Sequence, residues 1–96
     1  MELRFQWDAR KAARNIARHG VTFDEAASAF GDPLAAIFDD DVHVGPERRE
    51  ILVGYSATSR VIIVAFVERT PGMVRIISAR EATRTERRDH EEGTKR

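Results

Sequence analysis

The sequence predicts an α+β domain, one antiparallel sheet with helices packed on it, in the order β-α-α-β-β-β-β-α. Three observations carry that expectation. Residues 61–80, VIIVAFVERTPGMVRIISAR, read as two apolar strands joined by Thr70-Pro71-Gly72, because proline presets φ and glycine accepts a positive one. A helical repeat of small apolar residues lies between Asp8, a good N-cap, and Gly20, a good terminator. Two T-x-x-E capping boxes, Thr22/Glu25 and Thr83/Glu86, each open a further helix.

Taken in order, Leu3, Phe5 and Trp7 alternate with Arg4 and Gln6, so residues 2–7 make a short strand with one apolar face. Ala9, Ala12, Ala13, Ile16 and Ala17 then recur at helical spacing, a stripe expected to face the sheet. Lys11, Arg14, Asn15, Arg18 and His19 belong to the opposite, polar face. Phe23, Ala26, Ala27 and Phe30 give a second helix its buried stripe, and Gly31-Asp32-Pro33 ends it.

Residues 34–38 are a weaker strand and residues 39–46 a loop. Asp39, Asp40 and Asp41 are adjacent there, but no calcium-loop spacing follows, which favours a solvated loop over a metal site. Residues 50–56 resume strand character, with Ile51, Val53 and Tyr55 on one face. Residues 61–67 have no polar member, which suits a strand buried on both faces. In the return strand, 73–79, simple alternation sends Arg75, Ile77 and Ala79 one way and Val74, Ile76 and Ser78 the other. The last helix, residues 84–92, is almost wholly polar and must lean on the sheet or a partner. Residues 1–92 form a single domain on this reading, and residues 93–96 a frayed tail.

Composition limits the function. A chain of 96 residues supports one core. It has no cysteine, which removes disulfides, zinc ribbons and thiol catalysis and fits a cytoplasmic protein. It has no apolar run of membrane-spanning length, and its first residues lack a signal-peptide core. The net charge is zero but uneven: residues 1–47 hold five basic against nine acidic side chains, and residues 48–96 eleven against seven. Without the aspartate cluster, a basic bias surrounds the first helix and the C-terminal half, enough for a local phosphate-binding face. Four charges interrupt the apolar hairpin: Glu68, Arg69, Arg75 and Arg80.

Several motifs occur in a fixed order: F-x-W-D from Phe5, K-x-x-x-N at Lys11 and Asn15, and H-G-V from His19. F-x-E-A from Phe23, E-R at Glu68, R-I-I-S-A-R at 75–80 and A-T-x-x-E-R at 82–87 complete the set. Together they resemble the BrnT-type ribonuclease toxins of type II toxin–antitoxin pairs. The resemblance covers residues 5–87, and its last two motifs are the most specific. It departs at the Thr-Pro-Gly turn and at His90, near where the family tends to carry an aromatic residue.

The resemblance implies a RelE-like fold, metal-independent RNA cleavage without a cofactor, and inhibition of translation. It also implies neutralisation by a cognate BrnA-like ribbon-helix-helix antitoxin, most simply as a heterotetramer that touches operator DNA through the antitoxin. Its catalytic set maps to Lys11, Glu68, Arg75 and Arg80. Arginine suits the scissile phosphate because its planar fork binds bidentately and keeps its charge. Positions 75 and 80 differ by five, however, so an ideal strand would point them to opposite faces. A bend or bulge must bring them together.

Glu68 is the expected general base, or else orients an arginine as a structural ion pair; His19 and His90 rank below it. Trp7, Asn15, His19 and Arg69 complete the expected RNA-contacting set. Trp7 also suits the core, Asn15 simple solvation, and His19 a helix C-terminal cation. The competing reading is a non-catalytic module that binds nucleic acid or an antitoxin through the same arginines.

Overall fold

The computed structural model describes residues 2–94. Strand β1 (Arg4–Gln6) leads into helix α1 (Ala9–His19) and helix α2 (Phe23–Ser28), which a single 3₁₀ turn, Ala29–Gly31, extends. Strands β2 (Ala36–Asp39), β3 (Glu50–Tyr55), β4 (Val61–Thr70) and β5 (Met73–Glu81) follow, then helix α3 (Arg84–Thr94). Gly93 and Thr94 therefore belong to the last helix, and the rest of the expected tail, residues 95–96, lies outside the described residues.

The five strands form one sheet in the order β1-β5-β4-β3-β2. From β2 to β5 the chain meanders antiparallel, but β1 pairs parallel to β5, Phe5 opposite Val74. The sheet is thus mixed, not antiparallel throughout. Connection parity explains this: three antiparallel steps leave β5 opposed to β2, and two helices bring the chain from β1 to β2 reversed.

One sheet face carries the core. Ile62, Val64 and Phe66 of β4, Leu52 of β3 and Val74, Ile76 and Ala79 of β5 pack against Val21, Phe23, Ala26 and Ala29. Phe30 joins Phe5 and Phe66 in edge-to-face contacts, with ring centroids 5.1 and 5.0 Å apart.

The first helix does not bury the stripe expected of it. Ala12 is half-buried and Asn15 buried, whereas Ala9, Ala13 and Ala17 are exposed and Ile16 is 49 % exposed. The cause is the sheet edge. Strand β1 ends opposite Arg75, leaving the outer edge of β5 unpaired beyond it. The Asn15 amide closes that edge, donating to the Ala79 carbonyl at 2.8 Å and accepting from the Ala79 amide at 3.0 Å. It also donates to the Val21 carbonyl at 2.9 Å. A buried strand edge needs such partners. This requirement outweighs the apolar stripe.

The caps follow the sequence in part. Asp8 accepts from the Arg10 and Lys11 amides, and Gly20 ends α1 at φ 67°. At α3 the box closes both ways: the Glu86 amide donates to Thr83 Oγ1 at 3.1 Å and the Thr83 amide to Glu86 Oε1 at 2.9 Å. At α2 only the Thr22 half forms, because the Glu25 carboxylate turns instead to Arg60, Ser56 and Thr58 across the β3–β4 turn. Helix α3 lies on the sheet face opposite the core, where Glu86 and His90 approach Phe38, Val53 and Ile63. None of its residues is buried.

Candidate functional site

The face opposite the core is formed by the odd-numbered residues of β4. Val61 and Val67 are buried on that face as well, with Ile63 and Ala65 half-buried between them, so the strand is covered on both faces except at its middle. In β5, Ile76 pairs with Phe66 and Ser78 with Ala65, so Ile77 is an extra residue that pairs with nothing, a bulge. The bulge reverses the alternation. Arg75 pairs with Val67 and Arg80 with Ile63, two positions of equal parity, so both arginines share the open face. Ile76 and Ala79, three apart, both enter the core for the same reason.

Two recesses lie side by side on this face, with His19 and Ser78 as their common wall. The first, about 330 Å³, is lined by Lys11, Arg14, Arg18 and the bulge residue Ile77. The second, about 260 Å³, has Ile63 and Ala65 at its floor and Asp40, Arg49 and Arg80 around it. The C-terminal half of α1 can reach both because it runs along the edge of β5 rather than flat over the core. Lys11, Arg14 and Arg18 of α1 thus line one recess, and Arg49, just before β3, and Arg80 of β5 line its neighbour.

Of the residues expected from the sequence, Lys11, Asn15 and His19 line the first recess, and His19 and Arg80 the second. Arg75 lies on the same face but lines neither recess; four register steps place it about 13 Å from Arg80. Glu68 is not brought to the arginines. It has the parity of Val64 and Phe66, pairs with Val74 on the core face, and accepts from the Gly72 amide at 3.0 Å. Arg69 sits at the exposed end of the hairpin, 3.4 Å from Glu47. Trp7 packs edge-on against Phe23 at 5.9 Å, and Asn15 is buried in its backbone contacts. His90 lines an adjoining recess beneath α3.

Charge in the groove is unevenly compensated. Arg80 gives Nη1 and Nη2 to the two oxygens of Glu86 at 2.8 and 2.9 Å. That bidentate pairing, with the Thr83 amide second, holds the Glu86 carboxyl at about 2, well below its ordinary value. Lys11, Arg14, Arg18, Arg49 and Arg75 make no salt bridge among the described residues. The hydrogen bond from the Lys11 amide, aided by that from the Arg10 amide, holds the Asp8 carboxyl below its usual range. Among the described residues, no group of three or more His, Asp or Glu is placed to hold a metal ion. Asp39 is paired with Arg48 at 2.8 Å, and Asp40 accepts from the Val42 amide.

Sequence reasoning missed Arg14, Arg18, Arg49 and Glu86 as parts of this groove. Arg14 and Arg18 carried a signal as part of the basic face of α1, and Glu86 as the last member of a capping box. Arg49 precedes β3 with the parity of Ile51 and Val53, the residues that turn to the open face.

A groove rich in unpaired cations beside a histidine is suited to holding a phosphodiester and moving a proton on it. Comparison with known proteins points to the same chemistry. No curated protein matches the chain. Among solved structures, the ribonuclease toxin BrnT of Brucella abortus superposes with a TM-score of 0.66, over 85 % of this chain and 99 % of that one. At 24 % identity, this likeness speaks to the fold. The family described as "Ribonuclease toxin, BrnT, of type II toxin-antitoxin system" matches residues 7–86, most of the chain including all of α1 and strands β2 to β5, and the chain belongs to that family.

Proposed function

We propose that the groove between α1, β3 and β5 is the active site of a metal-independent endoribonuclease that inhibits translation. The observation that carries this reading is the convergence of His19, Lys11 and Arg80 on two adjoining recesses. In this reading the His19 imidazole takes the proton of the ribose 2′-OH. The 2′-oxygen then bonds to phosphorus, and the charge that builds on the phosphoryl oxygens is met by Arg80 and Lys11. The P–O5′ bond breaks as the imidazolium returns its proton to the 5′-oxygen, leaving a 2′,3′-cyclic phosphate and a 5′-hydroxyl. Arg75, further along the same face, holds a neighbouring phosphate. Glu68 has no part in the proton transfers, since the sheet separates it from the groove.

The partner in this reading is a BrnA-like ribbon-helix-helix antitoxin in a heterotetramer, on a toxin of RelE-like fold. The exposed stripe of Ala13, Ile16 and Ala17 on α1 supports an apolar contact beside the groove. Light scattering on the purified pair should give a mass of two copies of each chain; a one-to-one particle would remove the heterotetramer.

The test of activity is cleavage of RNA by antitoxin-free protein in EDTA, beside Arg80→Ala and His19→Gln. Degradation that survives EDTA and is lost in both variants supports the reading. Cleavage by wild type that is undiminished in both variants would put the chemistry elsewhere. If translating ribosomes are also left uncut, the chain is a binding module.

A further inference from the structure

Arg49 differs from every other arginine around the groove. Its Nε is buried without a hydrogen-bond partner, although the side chain lines the same recess as His19 and Arg80. A desolvated guanidinium N–H with no acceptor is costly to a fold unless a ligand supplies one. The acids near it are engaged elsewhere. Asp39 is bound by Arg48, and Asp40, in the wall of the recess, forms no ion pair with Arg49. The Asp40 amide does donate to the Arg49 carbonyl at 2.9 Å, which fixes the backbone that carries the side chain. Arg80, by contrast, already has both terminal nitrogens on Glu86.

We propose that Arg49 is the guanidinium that binds the scissile phosphate, presenting Nε and one terminal nitrogen to two phosphoryl oxygens. This rests on the ribonuclease reading of the groove and assigns it a residue that reading does not use. Nε is buried, so the guanidinium must turn towards the recess for one phosphate oxygen to satisfy the orphaned donor as its partner oxygen meets the terminal nitrogen. Arg80, latched to α3, then serves as a second cation that stabilises the far side of the phosphate.

Wild type, Arg49→Gln and Arg49→Lys would be compared as full-length protein, with thermal melts to establish that each is folded. Binding is read by fluorescence anisotropy with a 2′-O-methyl oligoribonucleotide, which cannot be cleaved, and chemistry by single-turnover cleavage of the matching RNA. Arg49→Gln should slow cleavage on the order of 100-fold, the usual effect of removing one donor to a developing oxyanion. It should also weaken the oligonucleotide about tenfold, and Arg49→Lys should recover most of that binding but little of the rate, because a point charge replaces a fork. The Arg49 Nε–H resonance should shift when the oligonucleotide is added to wild type.

Cleavage and binding within twofold of wild type in Arg49→Gln would overturn the assignment while leaving the ribonuclease reading intact. A wild type that binds but never cleaves would remove the ribonuclease reading. The scissile-phosphate assignment would fall with it, and a tenfold loss of binding in Arg49→Gln would leave Arg49 a phosphate contact only. A wild type that neither binds nor cleaves would overturn both.

Discussion

Arg75 and Arg80, five positions apart in one strand, lie on the same face of the sheet because Ile77 between them is bulged out of register. Regular alternation would have placed one of them in the core. The bulge therefore has two effects: it keeps a guanidinium out of the apolar layer, and it aligns two cations along one open face. Bulges bend a strand and raise its local twist, and here the bulged residue also lines the recess beneath α1.

Their separation gives the two arginines different duties. Their backbones are about 13 Å apart, and Arg80, turned to Glu86, lines a recess that Arg75 does not. Arg75→Ala should weaken a 2′-O-methyl oligonucleotide and lower the slope of log K against log salt by about 0.7, the counterion effect of one lost single-strand phosphate contact. Its single-turnover rate at saturation should stay within about threefold of wild type, because uniform binding does not enter the chemical step. Arg80→Ala should reduce that rate. Equal rate losses in the two variants would mean that the strand bends enough to bring both to one phosphate.

Glu68→Ala should leave cleavage within about threefold of wild type, since a base must lie within hydrogen-bond reach of the proton it takes. Its observed partner is the Gly72 amide in the β4–β5 turn, where Gly72 has φ 83°. Losing that bond should cost about 1 kcal/mol, read as a lower midpoint in urea. A hundredfold slower variant of unchanged stability would return Glu68 to the catalytic set.

Local chemistry explains which parts of this protein were legible in its sequence. The hairpin turn, the Asp8 and Thr83 caps and the alternation of β3 depend on neighbours in the chain, and each formed as the residues direct. The parallel seating of β1, the choice of buried face on α1 and the position of α3 depend on distant partners. Asn15 shows the difference: its type suggested a solvated helix face, but the unpaired edge of β5 lies 64 residues away in sequence. Lys11, His19 and Arg80 were expected by type and motif and line the two recesses, although no spacing rule contains the Ile77 bulge that aligns Arg80. The placement of Glu68 was legible, since it shares the parity of Phe66. Arg49 had only the parity of Ile51 and Val53 to mark it, and its orphaned donor is a property of packing alone.

Glu25 should govern stability in acid. The hydrogen bond from Arg60, aided by the Ser56 and Thr58 hydroxyls, holds the Glu25 carboxyl at about 2, below an ordinary 4.5. A lowered carboxyl stabilises the fold in full above its unfolded value, and that contribution is lost as pH falls from about 4.5 towards 2. Glu25→Gln should cost about 2 kcal/mol at pH 7, less than a fully buried pair because the Arg60 side chain is 31 % exposed. In a domain of this size that is a fall in Tm of roughly 10 °C. The difference between wild type and variant should shrink through the same acid window. A gap that persists undiminished at pH 2 would mean that the hydroxyl contacts, not the charge, carry the stabilisation.

Glu86 joins two tasks that one substitution can separate. Its carboxylate closes the capping box of α3 and binds Arg80. Glutamine keeps a carbonyl oxygen for the Thr83 amide but loses the charge, so Glu86→Gln should leave α3 helical by circular dichroism. With its anion gone, the Arg80 guanidinium becomes available to a phosphate, and the 2′-O-methyl oligonucleotide should bind about threefold more tightly, the scale of a half-exposed ion pair. In wild type the same release by acid should appear only towards pH 2, since the lowered carboxyl stays ionised above that. Weaker binding in Glu86→Gln would reverse the argument: Glu86 would then be the group that holds Arg80 in its binding position, and α3 a fixed wall of the groove rather than a latch upon it.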